Sequence, residues 1–247
     1  MLLKKKTAVI TGCNRGIGKK ILELFSENGA TIFACVRKND DNFQKLVYEL
    51  KTKNNTNIFP VELDLNSDES VEKSAQMILK SDQTIDILIN NAGIIHNSLF
   101  QMTTIENLKK IFQINYFSLT KFTQYILKSI IKKKGGSIVY IASTSALDNT
   151  IGRNAYSSTK AAIISQAHTL SREVGKFNIR VNSVSPGLTD TEMMSKNTPE
   201  KILKDIVSNL SLKRVANPEE IAKVVLFLSS DLSSYVTGQN IRVDGGM

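Results

Sequence analysis

Short runs rich in Val and Ile alternate with longer amphipathic stretches along the chain of 247 residues. Most of these runs are uninterrupted by charge, which is typical of strands that are covered by other elements on both faces. The predicted strands are residues 7–11, 31–36, 58–63, 85–89, 137–142, 179–185 and 240–243. The predicted helices are residues 18–27, 43–51, 67–79, 108–132, 156–176 and 218–228.

This alternation restricts the fold class more than any other feature of the sequence. Parallel strands joined by helices require right-handed crossovers, which place helices on both faces of one sheet. We therefore predict an α/β protein with a doubly wound, mostly parallel, seven-stranded sheet. Because the chain has no internal repeat, low-complexity linker or break in composition, we predict a single domain over residues 1–247.

A glycine-rich segment, TGCNRGIG at residues 11–18, joins the first predicted strand to the first predicted helix. Gly12, Gly16 and Gly18 would let the backbone approach a diphosphate, and the following helix N-terminus offers free N–H groups and a positive dipole end. A tight turn without a ligand is the alternative. The order strand, loop, helix favours a Rossmann-type dinucleotide site.

The composition excludes several classes of protein. The net charge is +9 and the isoelectric point is near 9.4, which fits a solvated lysine-rich surface, an acidic partner or a phosphorylated ligand. We expect no nucleic-acid binding, because the chain has no zinc finger, RNP-type aromatic motif or concentrated basic arm. Two cysteines and two histidines lack ligand-like spacing, so we expect no metal site.

No apolar run approaches the ~18 residues of a membrane span. The apolar stretch after the first lysines is too short for the hydrophobic region of a signal peptide. These features, together with the absence of a disulfide framework, predict a cytoplasmic protein with no membrane segment.

The segment AYSSTK at residues 155–160 places Tyr156 four residues before Lys160. In a helix this spacing brings both side chains to the same face. A free phenol has a pKa of about 10, and a neighbouring ammonium would favour the phenolate and lower that pKa. The pair is either two neighbouring surface residues or a proton-transfer site, and other motifs must decide between these alternatives.

Seven motifs in order along nearly the whole chain make the sequence resemble the short-chain dehydrogenase/reductase family. The glycine spacing is TGxxxGxG, and NNAG at residues 90–93 resembles the motif after the family's fourth strand. Asn115 and Ser143 stand where the family has its catalytic asparagine and serine, and Ser143 precedes Tyr156 by the usual thirteen residues. The YxxxK pair, SPGLTDT at residues 185–191 and the ending VTGQNIRVDGGM complete the set.

The resemblance implies that Asn115, Ser143, Tyr156 and Lys160 are the catalytic residues of a carbonyl reductase. Tyr156 would donate a proton to the carbonyl oxygen, and Lys160 would tune Tyr156 and hold the nicotinamide ribose. Ser143 would hydrogen-bond the substrate oxygen as negative charge develops there. Asn115 would hold a water that links Lys160 to solvent; the alternative is an amide that satisfies a helix cap or kink.

The resemblance also implies a set of cofactor-binding residues. Asp64 would accept a hydrogen bond from the adenine amino group; its alternative is a helix N-cap, although Ser67 is better placed for that role. Pro186 and Gly187 would begin a loop over the nicotinamide. The predicted set is Gly12, Asn14, Arg15, Gly16, Ile17, Gly18, Arg37, Asp64, Leu65, Asn91, Ala92, Gly93, Tyr156, Lys160, Pro186, Gly187, Leu188, Thr189 and Thr191.

The end of the second predicted strand indicates which dinucleotide binds. NAD-dependent proteins place an acidic residue there for the ribose 2′-hydroxyl, whereas this chain has Val36 followed by Arg37. Arg15 lies in the glycine loop, and two arginines favour a 2′-phosphate. Asp40 and Asp41 are close in sequence, but they are suited to start the next helix. We predict NADP, with NADPH as the reductant.

Within the family, the length, NNAGI, RVN before SPG, and TGQ…VDGG most resemble the 3-oxoacyl-[acyl-carrier-protein] reductase branch of fatty acid biosynthesis. This implies NADPH-dependent reduction of a 3-oxoacyl thioester to a secondary alcohol. The alternatives are another ketone, such as a sugar, polyol or nucleotide-linked hexulose, and a dinucleotide-binding protein without catalysis. Residues 94–101, 146–153 and 189–203 would form the substrate pocket, the last as a polar, mobile lid.

The resemblance further implies a homo-oligomer, a tetramer or dimer, in which residues 108–132 and 156–176 pack against the same helices of another subunit. Apolar side chains on these helices would serve that interface or the core of the monomer; they are Phe112, Phe117, Ile163 and Ala167. An acidic acyl carrier protein is a predicted partner. Its basic docking face beside the active-site mouth would be Lys132, Lys133 and Lys134 with Arg172 and Lys176, and a solvated helix end is the alternative.

Overall fold

The computed structural model describes residues 1–148 and 150–247. Its strands form one sheet in the order β3-β2-β1-β4-β5-β6-β7, and every neighbouring pair is parallel. This confirms the predicted α/β class and sheet. The strands are β1 Thr7–Thr11, β2 Thr31–Val36, β3 Ile58–Glu62, β4 Ile87–Asn90, β5 Gly136–Ile141, β6 Ile179–Pro186 and β7 Asn240–Val243.

The described residues form ten α-helices between and after these strands. They are α1 Gly16–Glu27, α2 Asp41–Asn54, α3 Asp68–Leu79, α4 Ile105–Phe112, α5 Ser118–Lys133, α6 Ser145–Asp148, α7 Asn154–Val174, α8 Glu192–Asn197, α9 Glu200–Asn209 and α10 Pro218–Ser229. Among these helices, none is long and apolar enough to cross a bilayer. The described residues also contain no group of three or more His, Cys, Asp or Glu side chains that could hold a metal ion.

Two apolar cores cover the two faces of the sheet. Helices α1, α2 and α10 pack on one face, where Ala8 and Ile10 of β1 are buried. Helices α3, α5 and α7 pack on the other face, where the intervening Val9 is buried. Because successive side chains of a strand point to opposite faces, the continuous apolar runs supply both cores at once.

The predicted helix over residues 108–132 is divided in the structure. Helix α4 is followed by a π-helical turn, Gln113–Phe117, and only then by α5. Asn115 lies in that turn and is completely buried. The apolar periodicity continues through residues 113–117. The sequence pattern therefore did not reveal that a π-helical turn, with its i→i+5 hydrogen bonds, interrupts the α-helix here.

Residues 189–203, which were predicted to form a polar, mobile lid, contain helical structure. Helix α8 and the first four residues of α9 lie in this segment. The Thr191 hydroxyl accepts a hydrogen bond from the Met194 N–H at 3.2 Å and so caps α8. Both helices are short, and no residue of either helix is fully buried.

The residues proposed for an oligomer interface divide between core and surface. Ile163 and Ala167 are 1% exposed and belong to the core between α5, α7 and the sheet. Phe112 is partly buried, whereas Phe117 is 54% exposed. Two of these four side chains therefore serve the monomer, and the homo-oligomer stays a prediction.

The close approach of α1 to the glycine loop predicts a sharp effect of one methyl group. A Cβ at Gly18 would lie 2.0 Å from the backbone oxygen of Gly12. We expect Gly18→Ala to lower the free energy of unfolding by about 3 kcal/mol, because the helix or the loop must move. Urea denaturation monitored by circular dichroism measures this difference.

Gly175→Ala is the matched control. Gly175 has a helical φ of −56°, and an added Cβ meets no atom within 4 Å. This substitution should leave stability unchanged or raise it by up to about 1 kcal/mol. Equal unfolding midpoints for the two alanine variants would contradict the tight packing of Gly18.

Candidate active site

A cleft of about 480 Å³ opens at the carboxyl ends of the strands. It lies at the end of β1, which pairs with both β2 and β4. The strand order therefore reverses at β1, and the helical connections on its two sides run in opposite directions along the sheet. Open α/β sheets bind ligands at such a switch point. Every residue of the predicted cofactor-binding set lines this cleft, together with Ser143. Asn115 is the one predicted catalytic residue that lies behind the lining.

The glycine loop has the geometry of a diphosphate cradle. Gly12 and Gly16 have φ values of 75° and 54°, in the left-handed region that side chains disfavour. Arg15 precedes the first turn of α1, and its side chain makes no capping bond to that turn. The first N–H groups of α1 therefore remain available to an anion, and the loop fits the diphosphate of a dinucleotide.

A hydrogen-bonded clasp joins the ends of β1 and β4 under the cleft. The Thr11 hydroxyl accepts bonds from the N–H groups of Asn91 and Ala92, both at 3.0 Å. The Asn91 side-chain amide donates to the carbonyl oxygens of Thr11 and Gly12 at 2.9 and 3.1 Å. Sequence reasoning did not assign a role to Thr11, whose only signal is its place at the start of the glycine segment.

Ser143, Tyr156 and Lys160 come together on the floor of the cleft, and each is less than one-tenth exposed. The Ser143 side chain lies close enough to the Tyr156 phenol to favour its ionised form. The Lys160 Nζ lies 5.8 Å from the centroid of the Tyr156 ring and donates to the Ile141 carbonyl oxygen at 2.6 Å. The helical spacing therefore places the pair as the sequence predicted.

The electrostatics of this group differ from the prediction. Burial raises the pKa of Tyr156, while the neighbouring Ser143 side chain and the charge of Arg153 act in the opposite direction. The prediction of a lowered phenol pKa is wrong for this structure, because desolvation outweighs both favourable contacts. Burial also lowers the pKa of Lys160 from 10.5 to about 8, so this ammonium is itself desolvated.

Asn115 supports the cleft from behind. Its Oδ1 accepts the Ile94 N–H at 2.8 Å, and its Nδ2 donates to the Ile94 carbonyl oxygen at 2.9 Å and to the Thr159 hydroxyl at 3.1 Å. A Cβ at Gly93 would lie 3.2 Å from the Asn115 Oδ1 and 3.6 Å from the Lys160 Nζ. The amide thus binds the loop after β4 rather than capping its own helix, and its role toward water stays a prediction.

The acidic residues near the end of the cleft that is predicted to bind adenine each make a local hydrogen bond to the backbone. Ser67 caps α3 through the Ser70 N–H at 3.1 Å, as predicted, so Asp64 is not needed for that cap. The Asp64 Oδ1 accepts the Asn66 N–H at 2.9 Å. Asp40 caps α2 through the Phe43 N–H at 2.9 Å, and Arg37 is an exposed residue of the cleft lining.

Arg15 has a partner that the sequence did not indicate. Its Nη1 lies 2.6 Å from the Oε2 of Glu192, the first residue of α8. Lys196 binds the same carboxylate, and the hydrogen bonds from Lys196 and then Arg15 lower the pKa of Glu192. The predicted contact of Arg15 with a 2′-phosphate therefore competes with an ion pair across the mouth of the cleft.

Residues from all three predicted pocket segments line the cleft. The segment after β4 contributes Ile94 and Ile95, the segment before α7 contributes Arg153, and the α8 region contributes Met193 and Met194. Two of these segments are also joined, because the Asn97 Nδ2 donates to the Asn197 Oδ1 at 3.2 Å. Lys110 and Glu192 line the cleft as well and were not singled out from the sequence.

The basic cluster at the end of α5 does not lie beside the cleft, and this prediction is wrong. Lys133 binds Asp86, whose carboxylate accepts the Thr7 N–H at 2.7 Å. The ends of α5 and α7 lead into the first residues of β5 and β6, Gly136 and Ile179, which pair with each other. The cluster therefore lies at the amino ends of the strands, opposite the cleft.

A doubly wound sheet with a glycine loop and a Ser–Tyr–Lys group at its switch point defines an oxidoreductase that uses a nicotinamide dinucleotide. A family profile described as "Enoyl-(Acyl carrier protein) reductase" matches residues 12–247. The chain belongs to the short-chain dehydrogenase/reductase family, whose members act on CH–OH and C=O groups.

Three of the proteins to which the chain is similar match it over nearly its whole length. It is 37% identical to the 3-oxoacyl-[acyl-carrier-protein] reductase FabG of Chlamydia trachomatis, covering 100% of this chain and 98% of that protein. A 7α-hydroxysteroid dehydrogenase, solved with NADH and 7-oxo glycochenodeoxycholic acid, is 30% identical with a TM-score of 0.93, covering 99% and 94%. An NAD(P)-dependent dehydrogenase of Beutenbergia cavernae, solved with NADP at low occupancy, is 26% identical with a TM-score of 0.93, covering 99% and 97%.

The buried, desolvated ammonium of Lys160 is expected to lower the free energy of unfolding. A lysine whose pKa is lower in the folded than in the unfolded state destabilises the fold while it is charged, and this effect fades as the pH rises toward the unfolded pKa. The shift from 10.5 to about 8 corresponds to about 3 kcal/mol, and the lost bond to Ile141 offsets about 1 kcal/mol. We expect Lys160→Met to be about 2 kcal/mol more stable than the parent at pH 7.

Chemical denaturation at a series of pH values measures this effect. The difference between Lys160→Met and the parent should shrink steadily as the pH rises from about 8 to about 10. Lys45→Met, a change at an exposed position of α2, should show no such trend. A Lys160→Met variant that is less stable than the parent at pH 7 would contradict the desolvation of Lys160.

Proposed function

We propose that the protein is an NADPH-dependent reductase of 3-oxoacyl thioesters that forms the secondary alcohol. The observation that carries the proposal is the convergence of Ser143, Tyr156 and Lys160 in the cleft that the glycine loop borders. The similarity to 3-oxoacyl-[acyl-carrier-protein] reductase over the full chain supports this substrate class. An acyl-carrier-bound substrate is proposed on the same similarity. Another ketone, such as a sugar or polyol, is the second candidate.

The chain supplies positioning and proton transfer. A reduced nicotinamide, when bound, supplies the hydride to the carbonyl carbon. The Ser143 hydroxyl holds the carbonyl oxygen as negative charge develops there, and the Tyr156 phenol donates its proton to that oxygen. Burial raises the pKa of Tyr156, which keeps the phenol protonated at neutral pH and suits it to act as the acid in the reductive direction.

Lys160 and Asn115 complete the proposed machinery. The Lys160 ammonium would hold the nicotinamide ribose and, as a buried cation, favour the phenolate that remains after proton transfer. Asn115 fixes the loop after β4 through both of its bonds to Ile94. It would also hold the water through which a proton returns to Lys160 and Tyr156.

The proposed cofactor is NADP rather than NAD. Val36, at the end of β2, leaves no carboxylate for a ribose 2′-hydroxyl at that position, and the exposed guanidinium of Arg37 lies in the adjacent cleft lining. Arg37 is therefore the main partner for a 2′-phosphate. Arg15 contributes only when its ion pair with Glu192 opens.

Replacement of Tyr156 tests the proton donor. We expect Tyr156→Phe to lower kcat for an acetoacetyl thioester by roughly 10²- to 10⁴-fold, with the affinity for NADPH and the unfolding midpoint retained. NADPH oxidation followed by absorbance gives kcat, and fluorescence titration gives the affinity. Tyr140→Phe is the control, because it removes a buried hydroxyl that bonds Thr123 at 3.4 Å outside the cleft lining. Equal turnover in the two variants would exclude Tyr156 as the acid.

Charge changes at the adenosine end test the cofactor. The parent should bind NADPH at least about 10-fold more tightly than NADH, because charged hydrogen bonds to a 2′-phosphate are lost with NADH. Arg37→Asp should erase or reverse this preference, and Glu192→Gln should tighten NADPH binding by releasing Arg15. Lys38→Asp makes the same charge change at the neighbouring exposed residue and should preserve the preference. Equal affinities of the parent for both dinucleotides would refute the assignment.

A further inference from the structure

Arg153 occupies a position that is unfavourable for a cation. It is the N-cap residue of α7, and its side chain makes no capping bond to the first turn. N-caps favour Ser, Thr, Asp or Asn, and the positive end of the helix dipole repels a guanidinium. Local helix stability therefore does not account for an arginine here.

The guanidinium of Arg153 is also without a carboxylate partner. It makes no ion pair with any acidic side chain among residues 1–148 and 150–247. Its Nη1 donates to the Ser145 hydroxyl at 3.3 Å, a contact that a neutral glutamine could also make. A guanidinium carries five N–H donors in a planar fork, so this contact does not explain the charge.

The surroundings of Arg153 connect it to the reacting group. It lines the cleft together with Ser143 and Tyr156. The Ser145 N–H donates to the Ser143 hydroxyl at 3.2 Å, so Ser145 contacts Ser143 through its backbone and Arg153 through its hydroxyl. The remaining donors of Arg153 are thus available to a ligand oxygen close to the carbonyl that Ser143 and Tyr156 would hold.

We propose, on the basis of the function proposed above, that Arg153 binds the thioester carbonyl oxygen of a 3-oxoacyl substrate. Such a substrate carries two carbonyl groups separated by one methylene, and Ser143 and Tyr156 engage only the 3-oxo group. A charge-assisted bond from Arg153 to the second oxygen fixes which carbon faces the nicotinamide. Arg153 is then a specificity-determining residue that selects thioesters with a 3-oxo group over isolated ketones.

Two matched substrates test this proposal with NADPH in excess. One is the acetoacetyl thioester of N-acetylcysteamine, and the other is the corresponding 3-oxobutyl thioether, in which a methylene replaces the thioester carbonyl. In Arg153→Gln, kcat/KM for the thioester should fall by roughly 10- to 100-fold, mainly through KM. For the thioether it should change by less than about 3-fold, and Arg153→Lys should restore part of the loss because it restores the charge.

A binding measurement separates this proposal from the proposed function. Calorimetry with the NADPH-saturated Tyr156→Phe enzyme gives the Kd of the thioester without turnover, and the added Arg153→Gln change should weaken it by a similar factor. Unchanged thioester binding would overturn the role of Arg153, whatever the activity. An equal fall for both substrates would also overturn it, since Arg153 would then act through Tyr156. A parent enzyme that reduces no 3-oxoacyl thioester would overturn the proposed function, and the calorimetric comparison would still decide the role of Arg153.

Discussion

The clasp between the ends of β1 and β4 determines where chemistry can take place in this fold. Thr11 and Asn91 exchange hydrogen bonds across the switch point, and the approach of Gly18 to the backbone of Gly12 presses α1 against the same point. Together they fix the glycine loop, the start of α1 and the loop after β4. Asn115 binds that last loop from behind, so bonds between the side chains and backbone groups of separate elements hold the floor of the cleft.

The reacting group built on this floor contains cations but no carboxylate. Lys160 is buried with a carbonyl oxygen as its hydrogen-bond acceptor, and Arg153 lies at the wrong end of a helix for its charge. Each arrangement lowers the free energy of unfolding, and the apolar side chains buried in the two cores offset this loss. Both cations favour an oxygen that gains negative charge, whether on Tyr156 or on a substrate, and this preference matches the reduction of a carbonyl.

Local patterns in the sequence predicted the sheet well, because each strand is a short apolar run whose ends are marked by polar residues. The predicted bounds of β1, β2 and β7 agree with the structure, and the motif order predicted which side chains meet in the cleft. The pair of Arg15 and Glu192 joins residues that are far apart in sequence, so no local pattern could reveal it. The direction of the Tyr156 pKa shift depends on burial, which spacing alone does not specify.

The wall of the cleft formed by α8 is held to the rest of the protein by weak contacts. The ion pair of Arg15 with Glu192 and the bond of Asn97 with Asn197 are both exposed, and exposed ion pairs contribute only about 0–1 kcal/mol each. No residue of α8 or α9 is completely buried. Several hydrogen bonds between separate elements thus hold the floor of the cleft, whereas the bonds that hold its α8 wall are exposed.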